Sequence, residues 1–126
     1  MATFSPPRFI SGLQAAADYT ATSNLYRAVV SNGTDFEVVI ATTPADQCVG
    51  ILMNSPDINC HADVAGAGGG AKAVAGGVVT AGDPLTNDAS GALVVAATTE
   101  YAFARAAQAA VAGDIFHVEI VDFYVA

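Results

Sequence analysis

The sequence predicts an all-β domain, a small β-barrel or β-sandwich of short strands preceded by an extended N-terminal arm. Two observations carry that expectation. Val, Ile, Thr, Phe and Tyr supply 41 of the 126 residues, against 17 for Leu, Met, Glu, Lys, Gln and Arg, and branched or aromatic side chains fit a pleated surface better than a helix. The 12 Gly and 5 Pro fall largely between short apolar runs, as they do where short strands are joined by turns. The length suits one domain with a sizeable core.

Residues 1–24 read as the arm. Pro6-Pro7 favours an extended backbone and removes ladder donors, and Phe4, Phe9, Ile10 and Leu13 are isolated large apolar groups that need a surface to lie on. Residues 25–126 then read as a single β domain. Leu25 to Val30 and Phe36 to Ala41 are strand candidates joined at Asn32-Gly33, a pair suited to a tight hairpin because both residues tolerate positive φ. Val49 to Met53 is a short buried strand, and Asp63 to Lys72, with Gly66-Ala67-Gly68-Gly69-Gly70, is a flexible loop on composition.

Ala73 to Thr80, Ala92 to Ala96 and Tyr101 to Ala106 follow as strands, the first weakened by Gly76-Gly77. The clearest is Ile115 to Tyr124, where Phe116, Val118 and Ile120 share one face opposite His117 and Glu119. Ala102 to Ala112 holds seven alanines, the strongest helix former, so one helical turn is expected near Gln108 to Ala112. Val79-Thr80-Ala81-Gly82-Asp83 and Val111-Ala112-Gly113-Asp114 read as one turn used twice.

Hydrophobic residues make up 53% of the chain, but 27 of them are Ala. The longest uncharged run, Ala89 to Thr99, has eleven residues, and a membrane-spanning helix needs about 20 apolar ones. Twelve acidic residues against four basic ones give a formal charge of −8, which disfavours nucleic acid and anionic membranes as partners. The first residues show no basic region leading into an apolar stretch, so cytoplasmic synthesis without a secretion signal is expected.

No residue pattern points to catalysis, a cofactor or a metal. Gly66 to Ala71 formally fits a dinucleotide fingerprint with Asp88 downstream, but such a loop must open a helix, and Ala73-Val74-Ala75-Gly76-Gly77 is a poor one. Lys72 lacks the following hydroxyl of a phosphate-binding loop. Cys48, Cys60, His61 and His117 have no zinc-ligand spacing, and the cysteines read as free, buried, small apolar residues. Glu119 and Asp122 fall on opposite faces of a strand, and most Asp residues sit where Asp stabilises turns.

Five stretches carry a resemblance. Val49-Gly50-Ile51, Val74 to Thr80, Ala81-Gly82-Asp83-Pro84-Leu85-Thr86, Asp88-Ala89-Ser90-Gly91 and Ala112-Gly113-Asp114-Ile115-Phe116-His117-Val118 resemble, in order and spacing, the decoration or cement proteins of tailed-bacteriophage heads. The likeness covers roughly residues 25–126; the Pro6-Pro7 arm and the tail from Asp122 depart from it. It implies a compact β domain that assembles as a homotrimer outside an expanded icosahedral shell and bridges major capsid subunits, with no cofactor. Phe4, Pro6, Pro7, Phe9 and Ile10 in the arm, with Phe123 and Tyr124 in the tail, are then the candidate capsid or subunit contacts. Loss of residues 1–12 is expected to weaken shell binding and leave the fold intact. A tail or head-fibre subunit, or a small β-barrel binding module, is the alternative.

Overall fold

The alternation in the last segment becomes the longest strand of the protein, β11 (Ile115–Val125). The computed structural model describes residues 6–125, except the side chains of Asp122 and Phe123. On one side β11 pairs with β7 (Gly70–Val74), on the other with β10 (Tyr101–Ala106). β8 (Pro84–Asn87) and β9 (Leu93–Val95) complete a five-stranded sheet in the order β7-β11-β10-β8-β9. A single parallel bridge, Ala75 to Leu93, brings the two ends of this sheet together without forming a continuous closed barrel.

The other sheet has six strands in the order β1-β6-β5-β3-β4-β2. Its centre is β3 (Ala28–Ser31), flanked by β4 (Glu37–Ile40) and β5 (Gly50–Leu52), with β6 (Val64–Ala65) beyond β5. The N-terminal segment supplies both edges: β1 (Phe9–Ile10) pairs with β6, and β2 (Gln14–Ala15) runs parallel to β4.

The main core combines both sheets: Ala28, Ile51 and Ala65 from the first with Leu85, Leu93, Phe103, Phe116, Val118 and Ile120 from the second. Ala71, Ala73, Ala104 and Ala106 are buried among them, and 14 of the 27 alanines are core residues, where small side chains permit close approach. A second cluster, Val29, Val38, Leu52, Ala62 and Val64, is covered by Ile10, Leu13 and Tyr19. The N-terminal segment therefore lies on its own domain. Residues 6–12 contribute a strand, backbone hydrogen bonds and the Ile10 side chain to this domain, so the arm is an edge of the sheet as well as a surface segment.

Four local expectations are corrected. Asn32-Gly33 does not make a two-residue hairpin: the connection runs over 32–36, because the Asn32 Oδ1 accepts from the Thr34 amide at 3.0 Å and Phe36 turns to φ 61°. The glycine-rich stretch contains β6 and the start of β7, and β7 ends before Gly76-Gly77 instead of running through them. No helical turn forms at Gln108 to Ala112, since Ala110 exchanges backbone hydrogen bonds with Val79 at 2.9 and 3.0 Å; tertiary pairing overrides alanine's propensity. A short 3-10 turn at Thr22–Asn24 was not signalled by any sequence pattern.

Candidate functional surface

Among the described residues, no group of three His, Cys, Asp or Glu could hold a metal ion. Cys48 is buried and donates to the Asn87 Oδ1 at 3.3 Å, whereas Cys60 is exposed, contrary to its reading as a buried residue. Burial, and secondarily the Asp46 carboxylate, push the Cys48 thiol up to about 12, so it is no nucleophile. His61 Nε2 meets Asp63 Oδ1 at 2.9 Å, but both side chains are exposed, and such pairs contribute little. His117 stands in mid-sheet opposite Lys72, on a different sheet from this pair.

The glycine loop is a saddle for the chain's own N-terminal segment. Gly66 N–H donates to the Arg8 carbonyl at 2.8 Å, Gly68 N–H to Ile120 at 2.9 Å and Gly70 N–H to Pro6 at 3.1 Å. A strand, not a helix, leaves the loop, so neither a row of free amides nor a helix dipole is offered to a phosphate. The glycines answer to close approach: a Cβ at Gly69 would stand 2.6 Å from the Arg8 nitrogen and 2.8 Å from the Pro6 oxygen. Beside the saddle is a shallow open groove of about 190 Å³, lined by Gly68, Gly69, Glu119, Ile120 and Val121.

The candidate contact residues divide. Pro6 is exposed and Pro7 half-buried, Ile10 packs on the second core cluster, and Phe9 keeps 53% of its surface exposed. Tyr124, paired with Ala102 across β10, is 37% exposed. Phe9 and Tyr124 thus project from different sheets. Phe4 and the Phe123 side chain lie outside the described residues.

Sequence reasoning missed a further apolar area at one end of the five-stranded sheet. Val79 and Ala110 form a buried, hydrogen-bonded pair, which makes Val78 and Val111 the next residues across, on the opposite, outer side. They are 76% and 55% exposed, and Ile115, just beyond Asp114, is 58% exposed. The signal was in the repeated turn. Asp83 Oδ2 accepts from Thr80 N–H at 2.9 Å and Asp114 Oδ2 from Val111 N–H at 3.1 Å, with Gly82 and Gly113 at φ 92° and 90°. The two copies of the turn leave the Val79–Ala110 bridge in opposite directions, Gly82 N–H donating to the Ala106 carbonyl and Gly113 N–H to that of Ala75, both at 2.8 Å.

The architecture is that of a two-sheet β domain with a sandwich-like core shared by both sheets. No family model and no curated protein matches the sequence. The fold is similar to the solved structure of the head fiber gp8.5 N base in bacteriophage phi29, with a TM-score of 0.65 at 19% identity, covering 90% of this chain and 94% of that one.

Proposed function

We propose that the protein is a structural component of a tailed-phage virion, a decoration protein that binds the outside of the expanded head as a homotrimer and stabilises contacts between major capsid subunits. The observation that carries this reading is the likeness of fold to a head-fibre base over nearly the whole of both chains, reached independently of the sequence resemblance to decoration proteins. The apolar surface at Phe9, Val78, Val111 and Ile115 fits a protein that makes contacts. A mechanical role asks for little from each copy, because a trimer engaging several sites gains through effective concentration.

The test is cosedimentation of the purified protein with expanded and with precursor shells of the cognate phage. Saturable binding to expanded shells, with a rise in their disruption temperature, is expected; no binding at micromolar protein overturns the reading. The solved neighbour is itself a fibre base, which favours as second reading the base of a head fibre. Electron microscopy of decorated shells separates the two: a fibre base sits at few sites and carries a projecting shaft, whereas a decoration protein covers the lattice.

A further inference from the structure

Of the five Asn residues, Asn32 alone is followed by Gly, and it stands exposed in the connection between β3 and β4. Asn87 is buried in a hydrogen-bond network, and Asn54 spans the backbone of His61 and Asp63 ahead of Ser55. At Asn32 both ends of the carboxamide are held over an open backbone. Oδ1 accepts from the Thr34 N–H at 3.0 Å, and Nδ2 donates to Glu37 Oε1 at 3.0 Å. The next nitrogen along the chain, that of Gly33, donates to Ser31 Oγ at 3.3 Å. Gly33 has φ 87°, and a Cβ placed on it would meet nothing within 4 Å, so no side chain crowds this side of the Asn32–Gly33 bond.

We propose that the folded protein modifies itself here: the Gly33 nitrogen attacks Asn32 Cγ and expels ammonia, and the cyclic imide so formed opens to aspartate or isoaspartate. The Gly33 proton passes to water by way of Ser31. The N–Cγ bond forms and the Cγ–Nδ2 bond breaks, with Nδ2 taking up a proton from water and leaving as ammonia. Water then adds to one or the other carbonyl of the imide, so that the net change is amide plus water to carboxylate plus ammonium, with nothing oxidised or reduced. Two contacts strengthen along this path. Oδ1 gains negative charge as nitrogen adds to Cγ, and the Thr34 N–H already points at it; Nδ2 gains positive charge as it is protonated for departure, against the Glu37 carboxylate. Contacts stronger in the transition state than in the ground state lower the barrier, and charge-assisted hydrogen bonds are the stronger kind.

The product acts on the edge of the first sheet. Either opening sets a new carboxylate beside that of Glu37, and isoaspartate lengthens the main chain of a connection whose far end, Phe36, sits at φ 61° and accepts from the Gln14 N–H at 2.8 Å. Gln14 opens β2, the strand by which the N-terminal segment runs parallel to β4. The modification therefore loosens that edge as the protein ages.

The experiment incubates the purified full chain in mildly alkaline buffer and follows it by intact mass and peptide mapping, with an isoaspartyl methyltransferase as the probe for isoaspartate. First-order modification at Asn32, ahead of Asn24, Asn54, Asn59 and Asn87, is expected. Glu37→Gln keeps a side-chain oxygen for Nδ2 but removes the charge, and is expected to slow the reaction by about three- to tenfold, the rate equivalent of weakening one charge-assisted hydrogen bond. Asn32→Gln should stop it, because the ring to be closed is then one atom larger, and circular dichroism checks that both variants fold. Aged wild type should exchange the Gln14 amide faster than fresh protein, and Asn32→Asp, which supplies the charge without the longer backbone, should show a smaller increase. An Asn32 that stays intact in the folded chain, or a rate indifferent to Glu37→Gln, overturns the proposal. No shell enters the measurement, so its outcome is independent of the proposed function.

Discussion

The backbone N–H of Gly70 donates to the carbonyl oxygen of Pro6 at 3.1 Å, fastening the beginning of the described chain to the first residue of β7. Through this contact and its neighbours at Gly66 and Gly69, the most glycine-rich stretch of the sequence becomes the bed of the N-terminal segment.

The bed has no room for a methyl group. Gly69→Ala is expected to destabilise the protein by about 1–3 kcal/mol, the usual cost of overpacking, because the nearest atoms are backbone atoms of Arg8 and Pro6 and not movable side-chain ends. Gly77→Ala, where nothing lies within 4 Å, is the control and should fall within about 0.5 kcal/mol of wild type. Urea unfolding of both variants checks the contrast, and amide exchange at Gly66 and Gly70 should accelerate only in the first.

Asn87 ties the 43–48 segment to β8. Its Oδ1 accepts from the Asp46 amide at 3.0 Å and the Cys48 thiol at 3.3 Å, and its Nδ2 donates to the Thr43 and Asp88 carbonyls at 2.7 and 2.9 Å. Asn87→Ala leaves several of these groups unpaired in a site that is 1% exposed, so a loss of about 2–4 kcal/mol is expected. Equal stability of variant and wild type in chemical denaturation would show that the carboxamide is dispensable.

Cys48 predicts an alkaline limit. In the folded protein its thiol is held up to about 12 against an ordinary value of 9.0. The unfolded chain therefore loses this proton first as pH rises, and linkage requires that stability contributed below pH 9 decline between about pH 9 and 12. Cys48→Ala should flatten that decline, measured by melting temperature across the range. At neutral pH a thiol reagent should label exposed Cys60 rapidly and Cys48 only on unfolding.

Phe103 and Phe9 separate core from contact surface. Phe103, 1% exposed in the main cluster, should cost about 3–5 kcal/mol when truncated to Ala. Phe9→Ala removes a ring that is mostly in solvent, and is expected to leave the unfolding midpoint nearly unchanged while lowering affinity for expanded shells in cosedimentation. Unchanged shell affinity would remove Phe9 from the contact set.

Most strands were legible as short branched or alternating runs: β3, β4, β5 and β9 fall at or within the expected Leu25 to Val30, Phe36 to Ala41, Val49 to Met53 and Ala92 to Ala96 to within a residue. Phe116, Val118 and Ile120 are buried as the pattern of β11 requires, and Tyr101 to Ala106 is strand β10. The glycine loop and the alanine run were misread because their conformations depend on partners distant in sequence: Pro6 and Arg8 for the first, Val79 for the second. The outer face of the five-stranded sheet was invisible for the same reason. Lys72 and Arg105 are distant in the chain, and strand pairing places both on one side of a sheet.

By itself, then, the sequence determined the β class, the small-residue core and the acidic surface, because branched side chains, alanine and charge act through local propensity and burial. The tertiary structure decided that the N-terminal segment edges its own sheet, that Val78 and Val111 stand exposed beside the buried Val79–Ala110 pair, and that Lys72 and Arg105 share the outer face of one sheet. Those outcomes follow from strand register, which long-range hydrogen bonds set across intervals that no local pattern spans.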